Sequence, residues 1–133
     1  MGDCDSVNGR ANANGFDLNR NFADLFECNN VALQIETKNV KNWLENNNFI
    51  LSANFHSGSV VANYPYDNYR GGASSGINLP SITDDDSLFI KLAEAYSLNH
   101  QTMKNNPCRV DNFANGITNG AEWYPIIGGM QGM

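Results

Sequence analysis

The chain has 133 residues, 41% of them apolar and 11% aromatic, which is enough for one modest globular core and argues against disorder. Its formal net charge of −6 disfavours nucleic acids and anionic membrane surfaces as partners. Neither a membrane-spanning apolar run, about 18 residues long, nor a signal peptide is apparent, so no membrane contact is expected from this segment.

The predicted elements alternate between helix and strand along the chain. Residues 1–32 are rich in Asn, Gly and Asp and are predicted to form loops. Apolar residues recur at helical spacing over 36–45, and two runs of strand-forming residues follow at 49–55 and 59–66. A long helix is predicted over 83–103. This order of elements predicts an α/β layered fold.

The long predicted helix has the clearest start signal in the chain. Thr83 is the expected N-cap, and three aspartates follow in the first turn, where the helix dipole favours negative charge. His100 lies beyond the apolar stripe on the same side of the helix, where packing or hydrogen bonding is its expected role. The predicted buried stripe consists of Phe89, Leu92, Ala93 and Tyr96.

Three cysteines, Cys4, Cys28 and Cys108, fit no spacing known for metal clips. An odd number of cysteines allows at most one disulfide within the chain. The remaining thiol is then free or has a partner outside this sequence, and the pairing stays open.

Two arginines, Arg10 and Arg20, stand among small turn-forming residues in the stretch NGRANANGFDLNRNF. Irregular backbone of this kind can hold guanidinium groups in fixed places, which indicates binding of an anionic or carbonyl-rich ligand. The alternative is that both are solvated loop charges, the usual fate of surface arginines.

His56 comes directly after the predicted strand at 49–55 and is followed by Ser57 and Gly58. Functional groups of open α/β sheets gather at the carboxyl ends of strands, so this position favours a functional role. The alternative is a histidine that ends the strand and is satisfied by hydrogen bonds. Neither His56 nor His100 has a second ligand at H-x-x-E or H-x-x-H spacing.

Three long segments resemble the zinc metallocarboxypeptidases, and among them the regulatory subfamily that contains carboxypeptidases N, E, M and D. These segments are GRANANGFDLNRNF (9–22), LSANFHSGSVVANYPYD (51–67) and GITNGAEWYPIIGGMQ (116–131). The resemblance runs in the right order over nearly the whole chain. It implies part of a mixed, mainly parallel sheet flanked by helices, incomplete at both ends, with residues 1–133 as the central portion of one catalytic domain.

The resemblance implies a role for each of four residues in metal binding and catalysis. His56 matches the family's third zinc ligand in a pattern usually written N-L-H-G-G, although Ser57 replaces its first glycine. Asn19 and Arg20 match the pair that grips the carboxylate of the substrate's C terminus. Arg10 matches the arginine that polarises the scissile carbonyl and stabilises the developing oxyanion.

The resemblance also places residues around the substrate's last side chain. Tyr124 matches the mobile tyrosine that folds over this residue, whereas in isolation Tyr124 and Trp123 would be taken as core aromatics of a Gly-rich turn. Asp67 and Gln131 match positions lining the specificity pocket, where an aspartate suits a C-terminal Lys or Arg. Without the resemblance, Asp67 would be interpreted as a residue that ends the strand after Pro65. The expected partners are therefore peptide or protein C termini that end in a basic residue.

Other parts of the family's catalytic machinery have no match in this sequence. The resemblance implies two zinc ligands from an H-x-x-E motif upstream of Arg10 and a general-base glutamate downstream of the Gly128–Gly129 pair. Gly132 also stands where an aspartate is expected. We therefore expect a zinc-dependent exopeptidase that is secreted or in the secretory pathway, with little activity in this chain alone.

Two alternatives of other classes accompany this hypothesis. The first is a carboxypeptidase-like domain without activity that binds C-terminal peptides, and the Ser57 and Gly132 departures support it modestly. The second is a free-standing structural or interaction domain. Polar groups aimed at a shared ligand would be costly in a purely structural core, which disfavours the second alternative.

Overall fold

Long loops connect the helices and strands in the computed structural model, which describes residues 9–105 and 113–132. Four short 3₁₀ turns occur in the loops of this described part of the chain, at Leu18–Arg20, Met103–Asn105, Ala114–Gly116 and Met130–Gly132. Within the described ranges, no helix has the length and apolar character that spanning a membrane requires. The helices and strands are α1 (Ile35–Glu45), β1 (Ala62–Tyr64), α2 (Gly72–Ser75), α3 (Asp86–Asn99), β2 (Ile117–Asn119) and α4 (Gly120–Trp123).

The two strands form a parallel pair, which confirms the predicted α/β class. Ala62 pairs with Ile117, and Tyr64 pairs with Asn119. Parallel strands need a long crossover connection, and here the connection contains α2 and α3. The helix predicted over 36–45 is confirmed as α1. The strand predicted over 59–66 is confirmed only for its central residues.

The strand predicted over 49–55 is wrong in this structure. These residues adopt no helix or strand, and the side chains are exposed, with Ile50 at 94% and Phe55 at 80% of full exposure. A buried strand needs hydrogen-bonding neighbours at its edges, and no strand in the described part of the chain pairs with this run. An apolar run therefore indicates a strand only when the fold supplies those neighbours.

The helix predicted over 83–103 is confirmed but is shorter, and its buried stripe differs. Ala93 is buried as predicted and Phe89 is half-buried, whereas Leu92 and Tyr96 are exposed. Ser97 is fully buried instead, because its hydroxyl donates to the carbonyl of Asn115 at 2.6 Å. Small side chains occupy the face of α3 that approaches neighbouring backbone, and the larger apolar residues lie outside it.

Both ends of α3 differ from the sequence prediction. Asp85 rather than Thr83 is the N-cap, and Thr83 instead accepts a hydrogen bond from the backbone of Asp86 through its carbonyl oxygen at 3.2 Å. His100 is exposed, so its predicted place on the buried side is wrong. Its hydrogen-bonding role is confirmed, since Nδ1 accepts the backbone N–H of Met103 at 3.1 Å.

The Asn119 side chain joins β2 to two separate loops. It is 1% exposed, and its Oδ1 accepts the backbone N–H of Ser81 at 2.9 Å. Its Nδ2 donates to the carbonyl oxygens of Pro65 at 2.9 Å and Ser81 at 3.0 Å. Its Oδ1 also accepts the backbone N–H of Glu122 at 3.4 Å, so one amide satisfies four backbone groups, on Pro65, Ser81 and Glu122.

We predict that Asn119→Ala lowers the free energy of unfolding by about 2 to 4 kcal/mol, because it leaves buried backbone groups without partners. Asn78→Ala is the matched control, since the exposed Asn78 amide donates one bond, to the carbonyl of Trp123 at 2.7 Å. The control substitution should lower the free energy of unfolding by less than about 1 kcal/mol. Urea denaturation followed by circular dichroism measures both, and equal losses would contradict the assignment of a central role to Asn119.

Candidate functional site

Arg10 is tied to the turn that carries Asn19 and Arg20. Its Nε pairs with Oδ2 of Asp17 at 2.9 Å, and both side chains are partly exposed. The other carboxylate oxygen of Asp17 accepts the backbone N–H of Asn19 at 2.9 Å, which caps the 3₁₀ turn Leu18–Arg20. The two arginines that the sequence singles out are therefore held on one short piece of irregular backbone.

Asn19 and Arg20 each use some of their polar groups for hydrogen bonds within the protein. Oδ1 of Asn19 accepts the backbone N–H of Met130 at 3.0 Å, which leaves its Nδ2 as the donor group. Nη1 of Arg20 donates to the carbonyl of Asn19 at 2.7 Å. The carbonyl of Arg20 accepts from Nδ2 of Asn29 at 3.0 Å. Backbone and amides thus fix the turn, while no described residue accepts a hydrogen bond from the other guanidinium N–H groups of Arg20.

The turn packs directly against the C-terminal part of the described chain. The backbone N–H of Phe22 donates to the carbonyl of Gly128 at 3.0 Å, and that of Leu25 donates to Gly132 at 3.2 Å. Gly128 has a positive φ of 75°, and a Cβ there would lie 2.6 Å from the carbonyl oxygen of Arg20. Only glycine fits this approach, which brings segments about a hundred positions apart into contact.

Asp67 is a buried carboxyl, 5% exposed, held between two glycines. A Cβ on Gly120 would clash with Oδ1 of Asp67, and one on Gly129 would lie 2.7 Å from Oδ2. Burial raises the pKa of Asp67 from 3.8 to about 6. The hydrogen bond from Asn63 and the positive charge of Arg20 oppose that rise, while the negative charge of Asp24 adds to it.

Gln131 reaches the Asp67 carboxyl through Asn63. Nε2 of Gln131 donates to Oδ1 of Asn63 at 3.3 Å, and Nδ2 of Asn63 donates to Oδ1 of Asp67 at 3.5 Å. The sequence prediction missed Asn63, and no pattern around it marks it, since its role depends on residues 4 and 68 positions away. Together with the turn, this chain of contacts brings five predicted residues into one network: Arg10, Asn19, Arg20, Asp67 and Gln131.

Arg20 also lines an open cleft of about 420 Å³. The exposed thiol of Cys28 stands in the same cleft, whereas Cys4 and Cys108 lie outside the described residues, so the predicted disulfide alternatives stay open. A second cavity of about 130 Å³ has none of the predicted site residues in its walls. The larger cleft is bounded by Arg20, Cys28, Asn29, Asn30, Val31, Ala73, Pro125, Ile126 and Ile127.

Tyr124 and His56 stand apart from this network. Tyr124 follows α4 directly, is 45% exposed, and packs edge-on against Trp123 with ring centroids 4.8 Å apart. It precedes Pro125–Ile127, which line the Arg20 cleft. Trp123 is half-buried and also contacts Phe113 at 5.2 Å, as expected of a core aromatic. His56 is exposed in the irregular segment before β1.

The described side chains do not fit a complete zinc site. Over residues 9–105 and 113–132, no three His, Cys, Asp or Glu side chains come together as metal ligands. A catalytic zinc needs three protein ligands and an open position for water. His56 alone offers one imidazole, so no chemical step through a metal can be derived from these residues.

Comparison with known proteins gives a consistent assignment. Residues 2–133 match the sequence model of a family described as zinc carboxypeptidase. The chain is 49% identical to carboxypeptidase M of Mus musculus over 97% of the chain and 29% of that protein. It is 47% identical to carboxypeptidase D of Drosophila melanogaster, over 98% of the chain and 10% of that protein. The match to the carboxypeptidase N catalytic chain of Homo sapiens is 43% over 92% of the chain and 31% of that protein. The chain thus spans less than a third of each relative.

We predict that stability falls as pH rises from about 4 to about 6, because Asp67 binds its proton more tightly in the folded chain than in the unfolded one. This stabilisation is fully present below pH 3.8 and is lost as pH rises through about 6. Asp67→Asn does not titrate, so its stability relative to wild type should improve by about 2 to 3 kcal/mol over that interval.

Urea denaturation at pH 4 and pH 7 measures this difference, with Asp84→Asn, an exposed carboxyl before α3, as the control. For Asp84→Asn, the difference in free energy of unfolding from wild type should change by less than about 0.5 kcal/mol between pH 4 and pH 7. If the free energies of unfolding of wild type and Asp67→Asn differ by the same amount at pH 4 and at pH 7, the burial argument is contradicted.

We expect the 133-residue chain to lose zinc on dialysis, since a single imidazole binds the metal weakly and no described cluster adds ligands. Metal analysis after dialysis against dilute zinc measures retention, with His56→Ala compared with the matched His100→Ala variant. Stoichiometric zinc that disappears in His56→Ala and persists in His100→Ala would show that further ligands lie within the chain.

Proposed function

The chain belongs to the zinc carboxypeptidase family, and we propose that it carries the substrate-recognition residues of a metallocarboxypeptidase that releases C-terminal Lys or Arg from peptides or proteins. The observation that supports this proposal is the set of contacts that joins the Asn19–Arg20 turn, through Met130 and Gln131, to a buried carboxyl, Asp67, whose ionisation the charge of Arg20 favours. A C-terminal basic residue has a carboxylate and a cationic side chain. The network offers a cation for the first and an anion for the second.

In the proposed function, Arg20 and Asn19 bind the carboxylate of the substrate's C terminus. Arg20 lies in the wall of an open cleft, and its guanidinium keeps N–H groups beyond the one bonded to the carbonyl of Asn19. Nδ2 of Asn19 adds an amide donor on the same turn. A guanidinium fork with an extra amide matches a carboxylate in both charge and geometry, which supports this assignment.

Asp67 supplies the matching charge for a basic side chain. Its carboxylate is buried and receives one side-chain hydrogen bond among the described contacts, the 3.5 Å bond from Asn63. A buried carboxylate with so few donors gains more from a cationic ligand than an exposed, well-hydrated one does. This environment supports a preference for Lys or Arg at the C-terminal position.

Arg10, Tyr124 and His56 are assigned to the reaction itself. Arg10 uses Nε for Asp17, and among the described contacts its terminal N–H groups have no acceptor, which suits stabilisation of a developing oxyanion. Tyr124 is exposed and directly precedes Pro125–Ile127, which border the Arg20 cleft, and we assign it to cover the bound residue. We assign His56 as one zinc ligand and expect the remaining ligands and the general base outside the described residues.

A carboxypeptidase-like domain that binds C-terminal peptides without hydrolysing them is the second candidate. Ser57 and Gly132, which depart from the family pattern, support it modestly, while the recognition network is equally compatible with both functions. Hydrolysis of a peptide ending in Arg by the protein with zinc would exclude this candidate. For either function we propose a location in the secretory pathway or outside the cell.

We predict that Arg20→Ala weakens binding of benzoyl-Gly-Arg by about 10- to 100-fold, because a charge-assisted bond to a carboxylate is lost. Isothermal titration calorimetry on the 133-residue chain measures the dissociation constant. Benzoyl-Gly-Arg amide, which has no C-terminal carboxylate, should bind wild type about as weakly as the free acid binds Arg20→Ala.

Arg70→Ala is the matched control, because Arg70 is exposed next to α2 and is not part of the network. Its affinity for benzoyl-Gly-Arg should stay within about twofold of wild type. Equal binding of the acid and the amide by wild type would refute carboxylate recognition, as would an Arg20→Ala variant that binds normally.

A further inference from the structure

We propose that the Asn14–Gly15 pair is a modification site, at which the asparagine deamidates spontaneously, and that Asn12 controls the rate. The pair lies in the loop between Arg10 and the turn Leu18–Arg20. Asparagine followed by glycine favours this reaction, because glycine has no side chain to obstruct attack by its own backbone nitrogen. The inference is independent of the proposed function, which gives this pair no role.

The reaction forms one bond and breaks another at the side-chain carbon of Asn14. The backbone nitrogen of Gly15 bonds to Cγ, and the bond from Cγ to Nδ2 breaks. The departing group leaves as ammonia and takes the proton of the Gly15 N–H, so a five-membered succinimide remains. Water then adds to one of the two ring carbonyls and opens the ring to aspartate or isoaspartate. Water is the co-reactant, and no atom is oxidised or reduced.

The space around the glycine separates this pair from the two other Asn–Gly pairs in the described part of the chain. Asn14 and Gly15 are exposed, and no described atom lies within 4 Å of a Cβ built on Gly15. The other two pairs end at Gly116 and Gly120, which are both buried, and a Cβ on either would clash with its neighbours. Only the first pair can therefore rearrange without disturbing packed structure.

The asparagines of the two other pairs are also held more firmly. Asn119 is 1% exposed, and its Nδ2, the group that would have to leave, donates to Pro65 and Ser81. The carbonyl of Asn115 accepts the hydroxyl of the fully buried Ser97 at 2.6 Å. Opening of buried contacts costs more free energy than opening of an exposed loop, so both asparagines should react slowly.

Asn12 holds the reactive pair closed. Its carbonyl accepts the N–H of Gly15, the attacking nitrogen, at 3.0 Å, and its Oδ1 accepts the N–H of Asn14 at 3.0 Å. Its Nδ2 donates to Oε1 of Gln34 at 3.1 Å, and the same oxygen accepts the leaving Nδ2 of Asn14 at 3.0 Å. Attack requires this turn to open, so Asn12 acts as the restraint that sets the rate.

Either product changes the loop. A carboxylate has no N–H group, so the hydrogen bond from residue 14 to Oε1 of Gln34 is lost. Nδ2 of Asn12 also donates to the carboxylate of Glu36 at 3.3 Å, so the added negative charge joins a cluster that already contains one. Both effects loosen the loop that leads from Arg10 to the Leu18–Arg20 turn.

Peptide mapping of the 133-residue chain tests the inference. Folded chain and chain in concentrated urea are incubated in mildly alkaline buffer, digested with trypsin and compared with unincubated chain by tandem mass spectrometry. Trypsin releases residues 11–20 and 110–133 as separate peptides. In the folded chain, Asn14 should deamidate at least about tenfold faster than Asn115 or Asn119. In urea the three should react within about threefold of one another, because packing no longer separates them.

Two variants assign the site and its restraint. Asn14→Gln should abolish deamidation within residues 11–20. Asn12→Ala should speed the reaction of Asn14 in the folded chain about three- to tenfold, because its side-chain hydrogen bonds are lost, and should leave the rate in urea unchanged. Asn39→Ala is the matched control, an exposed asparagine on α1, and should leave the rate within about twofold of wild type.

Each outcome supports or overturns a stated part of the inference. Equal rates at the three asparagines in the folded chain, or a folded chain in which Asn14 does not react while urea-treated chain does, overturn the site. An Asn12→Ala variant that is folded by circular dichroism and reacts at the wild-type rate overturns the restraint. If that variant does not fold, Gln34→Ala carries the test, since it removes the oxygen that accepts from both Asn12 and Asn14.

Discussion

Hydrogen bonds between buried asparagine side chains and the backbone hold the irregular parts of this structure in place. Each strand has only three residues, so sheet hydrogen bonds satisfy few of the backbone groups in the long loops. Buried backbone N–H and C=O groups need partners, and an amide side chain can serve as donor and acceptor at once. Asn21 donates to the carbonyl of Ala32 at 3.0 Å and accepts from Gln34 N–H at 2.8 Å, while Asn119 performs the same task near the sheet.

This use of amides gives irregular backbone the fixed geometry that a binding site requires. The Arg20 turn is held on one side by Asn29, which also donates to the carbonyl of Phe22 at 2.7 Å, and on the other side by Gly128. Asparagines and glycines fix much of this backbone, and Asp17 and one N–H group of Arg20 contribute the remaining contacts named above. In the proposed function, such a fixed turn would present the arginines with little reorganisation on binding.

The sequence predicted the types of element better than their pairing and burial. Helix α1 was predicted from apolar spacing and the α/β class from the order of elements, although Trp43 in α1 is 58% exposed and Thr37 is its buried residue. The failure at 49–55 has a different cause, since a strand depends on partners that lie elsewhere in the chain. The burial of Ser97 in place of Tyr96 depends on a close backbone approach that no local pattern records. The resemblance identified the members of the network, whereas Asn63 emerged only from contacts between residues far apart in sequence.

The buried charge of Asp67 links carboxylate recognition to side-chain recognition. In the free chain the positive charge of Arg20 favours ionisation of Asp67. If Arg20 takes the carboxylate of a ligand as proposed, that support for the buried anion weakens. A ligand with a neutral side chain would then leave Asp67 less compensated, at a cost typical of an unpaired buried charge. A basic C-terminal residue instead brings one charge of each sign and restores the balance. In the proposed function, specificity would therefore come from the charge of the pair as a whole, and Arg20 and Asp67 together would discriminate against neutral C termini.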